Sequence, residues 1–233
     1  MIYSDEAVAD SYDKDRFTSS SGLLFDSIER EIVRSVALEL PATVIALDAG
    51  TGTGRFAMML SRFGFCVIGA DISLPMLSRA REKAVRSHSV NVNLIRGTIF
   101  RLPIRTETTD LIVSLRVLSQ LGSQAAQMEA VRELCRICAP GGRIVFDVIN
   151  RNSLAIFSRF GNGSLMSLQS LEREIKRIRG IRVNRVVGRL AVTQTAYRVC
   201  PQSLLSALLR FDRLVCDRLP QIGTRAYYIL AKS

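Results

Sequence analysis

The feature that most constrains this chain is Asp48-Ala49-Gly50-Thr51-Gly52-Thr53-Gly54, where an apolar run ends in a carboxylate and three alternating glycines lead into a helical pattern. Glycine tolerates the backbone of a tight strand-to-helix turn and lets a ligand lie against the main chain. The first amides of the following helix lack partners within it and are available to polar ligand atoms. The turn can be read in two ways. Started at Gly52, the series Gly52, Gly54 and Ala57 gives the dinucleotide-type G-x-G-x-x-A, with its first glycine late, four residues past the acid. Started at Asp48, D-x-G-x-G-x-G fits without adjustment.

The flanking pattern supplies the fold class. Short apolar runs at Val44–Asp48, Cys66–Asp71, Asn91–Arg96, Asp110–Leu115 and Gly142–Val148 read as strands, separated by helical stretches at Gly54–Phe63, Pro75–His88 and Ser123–Cys138. Five such repeats predict an α/β fold with a Rossmann-like, doubly wound sheet. Beyond Asn150 the pattern predicts a helix over Met166–Arg179, a turn at Gly180, a strand over Ile181–Val187, a helix over Ser203–Leu219 and a last strand over Thr224–Ala231. At the other end, a polar stretch closing on Ser19-Ser20-Ser21-Gly22 precedes a helical pattern of Leu24, Phe25, Ile28, Ile32, Val33 and Val36. Residues 1–40 are expected to be an N-terminal lid and packing helix, and 41–233 the Rossmann-like domain, in a single domain overall.

Asp71 stands 23 residues past Asp48, at the end of the second predicted strand. A carboxylate there accepts hydrogen bonds from ribose hydroxyls, which suits a nicotinamide dinucleotide as well as any other adenosine ligand.

Composition removes several classes. No uncharged apolar run reaches the ~18 residues of a membrane-spanning helix, and the N-terminus lacks the order of a signal peptide, so a cytoplasmic location is expected. The five cysteines are odd in number and set in apolar stretches, which suits reduced core thiols. Cys135 and Cys138 form a lone CxxC, and with His88 as the sole histidine no metal site is expected. The net charge of +11 is uneven: residues 1–150 hold 17 basic and 17 acidic side chains, and residues 151–233 hold 15 and 4. An anionic ligand, membrane surface or nucleic acid is one reading of that excess. The other is a solvated helix face, because Leu168, Leu171, Ile175 and Ile178 share one side and leave Glu172, Arg173, Lys176 and Arg177 outside, with a Glu172–Lys176 pair.

The full series of segments chooses between the ligands. Asp48–Gly54, Asp71–Leu77, Gly97–Ile104, Asp110–Ser114 and Pro140–Arg143 closely resemble, in order and spacing, the motifs of class I S-adenosylmethionine-dependent methyltransferases, in the group that includes quinone, lipid and natural-product methyltransferases. The resemblance implies a sheet of seven strands with the last antiparallel, and S-adenosylmethionine as cofactor. It implies that Asp48, Ala49, Gly50, Thr51, Gly52 and Gly54 form the turn holding the methionyl part and that Asp71 holds the ribose. Ile72 and Ile99 would sandwich the adenine with Met76 nearby, the main chain at Ser114 would line the methionine end, and Tyr12 and Arg16 would close over the cofactor. Two positions depart from the pattern. The acid usual after Gly97 is Thr98, whose hydroxyl accepts with less charge assistance, and Gln120 stands where many relatives place a histidine.

An activated sulfonium methyl needs orientation more than a dedicated catalytic group, and orientation supplies ~7 to 11 kcal/mol. His88 falls at the edge opposite the strand C-termini and reads as a surface residue. Arg116, Asp147, Asn150 and Tyr197 are the substrate-side candidates, Asp147 foremost because a buried acid is costly without a partner or a task. The apolar segment Leu204–Phe211 reads first as core packing, then as a substrate cap or dimer contact. The expected function is methyl transfer to a small-molecule acceptor, with peripheral membrane contact left open. The rivals are a nicotinamide-dependent oxidoreductase, an RNA methyltransferase and a non-catalytic cofactor-binding subunit. The RNA reading rests on charge alone: neither an Asn-Pro-Pro-Tyr loop nor a Pro-Cys nucleophile is found.

Overall fold

In the computed structural model of the protein, residues 6–41, 43–89, 91–153, 165–191 and 200–233 are described. Strands β1 (Ile45–Ala49), β2 (Cys66–Asp71), β3 (Val92–Arg96), β4 (Thr109–Ser114), β5 (Cys138–Asn150), β7 (Ile181–Arg189) and β8 (Arg225–Lys232) form one sheet in the order β3-β2-β1-β4-β5-β8-β7. From β3 to β5 the neighbours are parallel, whereas β8 runs antiparallel to both β5 and β7. An eighth strand, β6 (Leu165–Met166), pairs with β5 off this path. It lies where a helix is predicted to begin. Met166 instead continues the sheet beside Asn150, and the helix starts at Leu168 behind the Ser167 cap and ends at Ile175.

Side chains alternate across each strand, so a strand covered on both faces is apolar throughout. On β8, Tyr228 and Leu230 pack with Leu134 and Ile137 of α5 (Gln124–Ile137) and with Leu171 and Ile175 of α6 (Leu168–Ile175). Tyr227 and Ile229 point the other way, to Val33 and Val36 of α2 (Ser20–Ala37) and to Phe56 and Leu60 of α3 (Arg55–Ser61). Before them comes α1 (Glu6–Phe17), and α4 (Leu74–Arg86) follows β2. The sheet turns at β1, where successive strands lie to one side (β2, β3) and to the other (β4, β5). Ligands of open α/β sheets bind outside the strand C-termini at that point.

Several expectations meet a different structure. Of the charges on α6 and its continuation, Glu174 pairs with Arg177 at 2.5 Å and with Arg132 at 3.3 Å, in place of the expected Glu172–Lys176 pair. Helix α7 (Gln202–Arg218) packs by one side only. Asp212 is buried and accepts from the amides of Leu190 and Ala191, and Cys216 is buried beside it, while Leu204 and Phe211 stand 58% and 60% exposed. Leu208 and Leu209 are half-buried, so among the described side chains core packing accounts for only part of that segment. All five cysteines are free. Cys135, Cys138 and Cys216 are buried, which pushes the thiol of Cys135 up to about 12 and that of Cys138 to about 11, but Cys66 is exposed. Among the described residues no cluster suits a metal ion, and no helix is long and apolar enough to cross a membrane.

Candidate active site

The glycine turn is built as its spacing demands. Gly50, Gly52 and Gly54 have φ of +79°, +51° and +83°, the left-handed region that side chains disfavour. The amides of Gly50 and Thr51 donate to the carbonyl of Ala70 at 2.8 and 2.9 Å, stitching the turn to β2. A Cβ on Gly50 would sit 2.2 Å from Val117 Cγ2, whereas one on Gly52 would meet nothing within 4 Å. Gly50 thus answers a packing need and Gly52 faces open space. Asp48 shapes the turn from behind: its carboxylate accepts from Thr51 Oγ1 at 2.7 Å and from the amide of Ala57 at 2.9 Å. Burial raises its pKa from 3.8 to about 6.

A cleft of about 470 Å³ opens beside the turn, and Gly50, Gly52, Asp71, Ile72, Met76, Thr98, Ile99 and Tyr12 all line it. Asp71 accepts from the amides of Gly52 at 2.8 Å and Ser73 at 2.9 Å, one on each oxygen, and burial raises its pKa. A carboxylate offers about four acceptor positions, so it retains capacity for ligand hydroxyls. Thr98 Oγ1 accepts from the amide of Phe100 at 3.4 Å. Ala49, Thr51, Gly54 and Ser114 are not on the cleft surface. Ser114 is buried, its hydroxyl donating to the carbonyl of Ala49 at 3.0 Å. The far wall comes from Leu115, Val117, Gln120 and Leu121, which follow β4 and were singled out from sequence only through the glutamine.

Helix α1 lies against the cleft. Asp10 pairs with Arg79 and Asp13 with Lys83, both on α4, and Asp13 also accepts from Thr53 Oγ1 at 2.6 Å. Tyr12 lines the cleft, with the Arg16 guanidinium 5.8 Å from its ring.

A second cavity, of about 230 Å³, adjoins the first and shares Tyr12, Arg116 and Gln120 with it. Arg16, Phe25 and Arg225 also line it. Behind it lies a buried ionic network. Glu29, fully buried on α2, binds Arg55 at 2.5 Å and Arg116 Nε at 2.7 Å, and Arg55 also binds Asp26 at 2.5 Å. Asp147 accepts from the amide of Arg116 at 2.5 Å and pairs with Arg225.

These contacts revise the substrate-side candidates. Asp147 is fully buried and paired with Arg116 and Arg225, so this costly acid has partners and braces them instead of facing substrate. Asn150 is likewise structural: its amide donates to the carbonyls of Gln221 and Gly223 at 2.6 and 3.0 Å, and its oxygen accepts from the amide of Asn152. Arg116 does face both cavities, while Tyr197 lies outside the described residues. His88 is exposed beyond the end of α4, as expected of a surface residue.

A parallel sheet that turns at β1, an antiparallel last strand inserted beside β5, a glycine turn after β1 and an acid closing β2 define a class I methyltransferase domain. A family model described as a methyltransferase domain matches residues 47–146. The chain is 30% identical over 208 residues to the biotin biosynthesis bifunctional protein BioHC of Cellvibrio japonicus, covering 85% of this chain and 38% of that protein. A shorter stretch, 109 residues, is 30% identical to a tRNA (carboxymethyluridine(34)-5-O)-methyltransferase of Arabidopsis thaliana, covering 47% of this chain and 25% of that one. Among solved structures, the magnesium protoporphyrin IX methyltransferase of Synechocystis with bound S-adenosylhomocysteine superposes with a TM-score of 0.69 at 13% identity, over 98% of both chains. Matches to the first curated relatives, demethylmenaquinone methyltransferases among them, span 38 to 65% of those proteins' length. Residues 47–146 thus form a methyltransferase domain of the class I, S-adenosylmethionine-dependent type.

Proposed function

We propose that this protein transfers a methyl group from S-adenosylmethionine to a small-molecule acceptor. The observation that carries the reading is the open space beside Gly52, in a cleft that Asp71 and Ile99 also line, which fits a nucleoside with a polar tail. In this reading the backbone of Gly50 and Gly52 holds the methionyl part and the free acceptor positions of Asp71 take the ribose hydroxyls. Ile72, Ile99 and Met76 flank the adenine, and Tyr12 covers the cleft from α1.

The cofactor supplies a sulfonium methyl already activated for transfer. The task left to the chain is to bind and orient both partners and to exclude water, and no base is needed where the acceptor atom carries no proton. Held there, the cofactor would supply the methyl carbon to the acceptor and keep the electron pair of the broken carbon–sulfur bond on its sulfur. Gln120 stands where many relatives place a histidine, so none of the described cleft side chains is assigned as a base.

Adjoining cavities of about 470 and 230 Å³ suit a cofactor beside a small acceptor. The likeness to a tRNA methyltransferase and the basic last third keep RNA as the competing acceptor, and phosphate contacts would make its binding fall steeply with salt. The test is calorimetric titration of S-adenosylhomocysteine into the unaltered protein and Asp71→Ala. At least tenfold weaker binding is expected in a variant that still unfolds cooperatively. Equal affinity would overturn the assigned site, and tight, salt-sensitive tRNA binding with methyl incorporation into RNA would overturn the small-molecule reading.

A further inference from the structure

The second cavity is lined by three arginines, yet the acids that neutralise two of them are hidden from it. Glu29 and Asp147 have no exposed side-chain surface, whereas Arg116 and Arg225 keep 17% and 16% of theirs. Both arginines line the cavity, so each ion pair is oriented with its carboxylate at the back and its guanidinium at the front. Such pairs act as fixed dipoles whose positive ends meet the ligand, and they require no reorganisation when an anion arrives. The Phe25 ring lies 5.3 Å from the Arg116 guanidinium and 5.8 Å from that of Arg225, steadying both.

Two further observations point the same way. Arg116 has φ of +63°, a conformation that costs a side-chain-bearing residue energy and is held here by the Asp147 bond to its amide and the Glu29 bond to its side chain. The effort of the network goes into presenting this one residue at the junction of the two cavities. Arg16 adds a third guanidinium from α1, set against one acid, Asp15, on the same rim.

We propose that the second cavity is an anion subsite that anchors a carboxylate of the acceptor, with Arg116 and Arg225 as its positioning residues. It rests on the methyl-transfer reading, because the shared wall of Tyr12, Arg116 and Gln120 would direct an acceptor anchored there toward the cofactor cleft. A planar guanidinium fork matches a carboxylate in shape as well as charge. Arg225 uses one terminal nitrogen on Asp147, which leaves others of its donors for the ligand. Burial works against its charge, but Asp147 beside it holds it protonated above the usual arginine range, so the subsite keeps its charge at any working pH. A cavity of about 230 Å³ has room for a carboxylate on a short carbon frame.

The experiment uses the full chain saturated with S-adenosylhomocysteine. Succinate and 4-hydroxybenzoate are titrated by calorimetry beside succinamide, 4-hydroxybenzamide and inorganic phosphate. Each carboxylate is expected to bind at least tenfold more tightly than its amide and more tightly than phosphate. Arg16→Gln, on the exposed rim, is expected to weaken the carboxylates about threefold. The double variant Asp147→Asn with Arg225→Gln, which removes both charges of the buried pair together, is expected to abolish the preference while S-adenosylhomocysteine affinity stays within threefold. If the double variant fails to fold, the carboxylate-to-amide ratio of the unaltered protein and of Arg16→Gln still decides. No preference over the amides, a preference for phosphate, or a preference unchanged in both variants would overturn the subsite. Loss of S-adenosylhomocysteine binding by the unaltered protein would instead overturn the reading beneath it.

Discussion

Replacing Gly50 and Gly52 by alanine, one at a time, separates what the turn does for the fold from what it does for the ligand. In Gly50→Ala the new Cβ meets Val117 Cγ2 at 2.2 Å on a backbone with φ of +79°. The left-handed conformation costs about 1–2 kcal/mol and overpacking a further 1–3, so a loss of about 2–5 kcal/mol is expected. In Gly52→Ala, φ is +51° and nothing lies within 4 Å, so only the conformational cost of about 1–2 kcal/mol applies to stability. The same Cβ would occupy the space assigned to the cofactor, and S-adenosylhomocysteine affinity should fall at least tenfold. Urea unfolding followed by circular dichroism gives the first quantity and calorimetry the second. Adding Val117→Ala should recover about 1–3 kcal/mol in Gly50→Ala as a coupling energy, because the two groups are in direct contact. If the two alanine variants lose equal stability, or if Gly50→Ala and Val117→Ala prove additive, the division of labour between these glycines is wrong.

Asp48 and Glu29 offer two tests of the buried acids. The rise of the Asp48 pKa from 3.8 to about 6 means that the folded protein binds this proton more tightly than the unfolded chain. Its contribution is therefore fully present below pH 3.8 and is lost as pH rises through about 6, a change of about 3 kcal/mol. Asp48→Asn can still accept from Thr51 and Ala57 but does not titrate, so its stability relative to the unaltered protein should rise across that window; a difference flat from pH 4 to pH 7 would refute the assignment. Glu29→Gln leaves Arg116 without its buried counter-charge and Arg55 with Asp26 alone, for an expected loss of about 3–5 kcal/mol in urea unfolding, and a loss under about 1 kcal/mol would show that water reaches the network.

The sequence makes local features legible and hides distant pairings. The glycine turn and the acid at Asp71 stand at strand ends, where periodicity and spacing place them, whereas Ile72 and Ile99, which line the same cleft, are named only through the family resemblance. Asp147 stands out in the sequence as a costly acid, but its partner is 78 residues away on β8, and no spacing rule connects them. Glu29 gives even less signal. It sits one residue from Ile28 in a helix whose apolar positions are clear, and only the approach of Arg55 from α3 and Arg116 from beyond β4 makes a fully buried carboxylate tolerable. Strand β6 leaves no trace in the sequence because two residues show no period, and the apolar run of α7 reads alike whether its second face meets protein or solvent.

The place of β8 in the sheet bears on how the chain becomes a protein in time. It lies between β5 and β7, so β7 has no route into the sheet until residues 225–232 are available. During synthesis, β5 must therefore wait with a long unpaired edge, the kind of surface that templates association with other chains. Arg225 arrives on that same late strand, so the arriving segment brings the counter-charge for Asp147 along with the missing backbone bonds. A ribosome-stalled product or a proteolytic fragment ending before Arg225 would retain the glycine turn and yet lack a closed sheet, and quality control would meet it as an aggregating species rather than as a weakened enzyme.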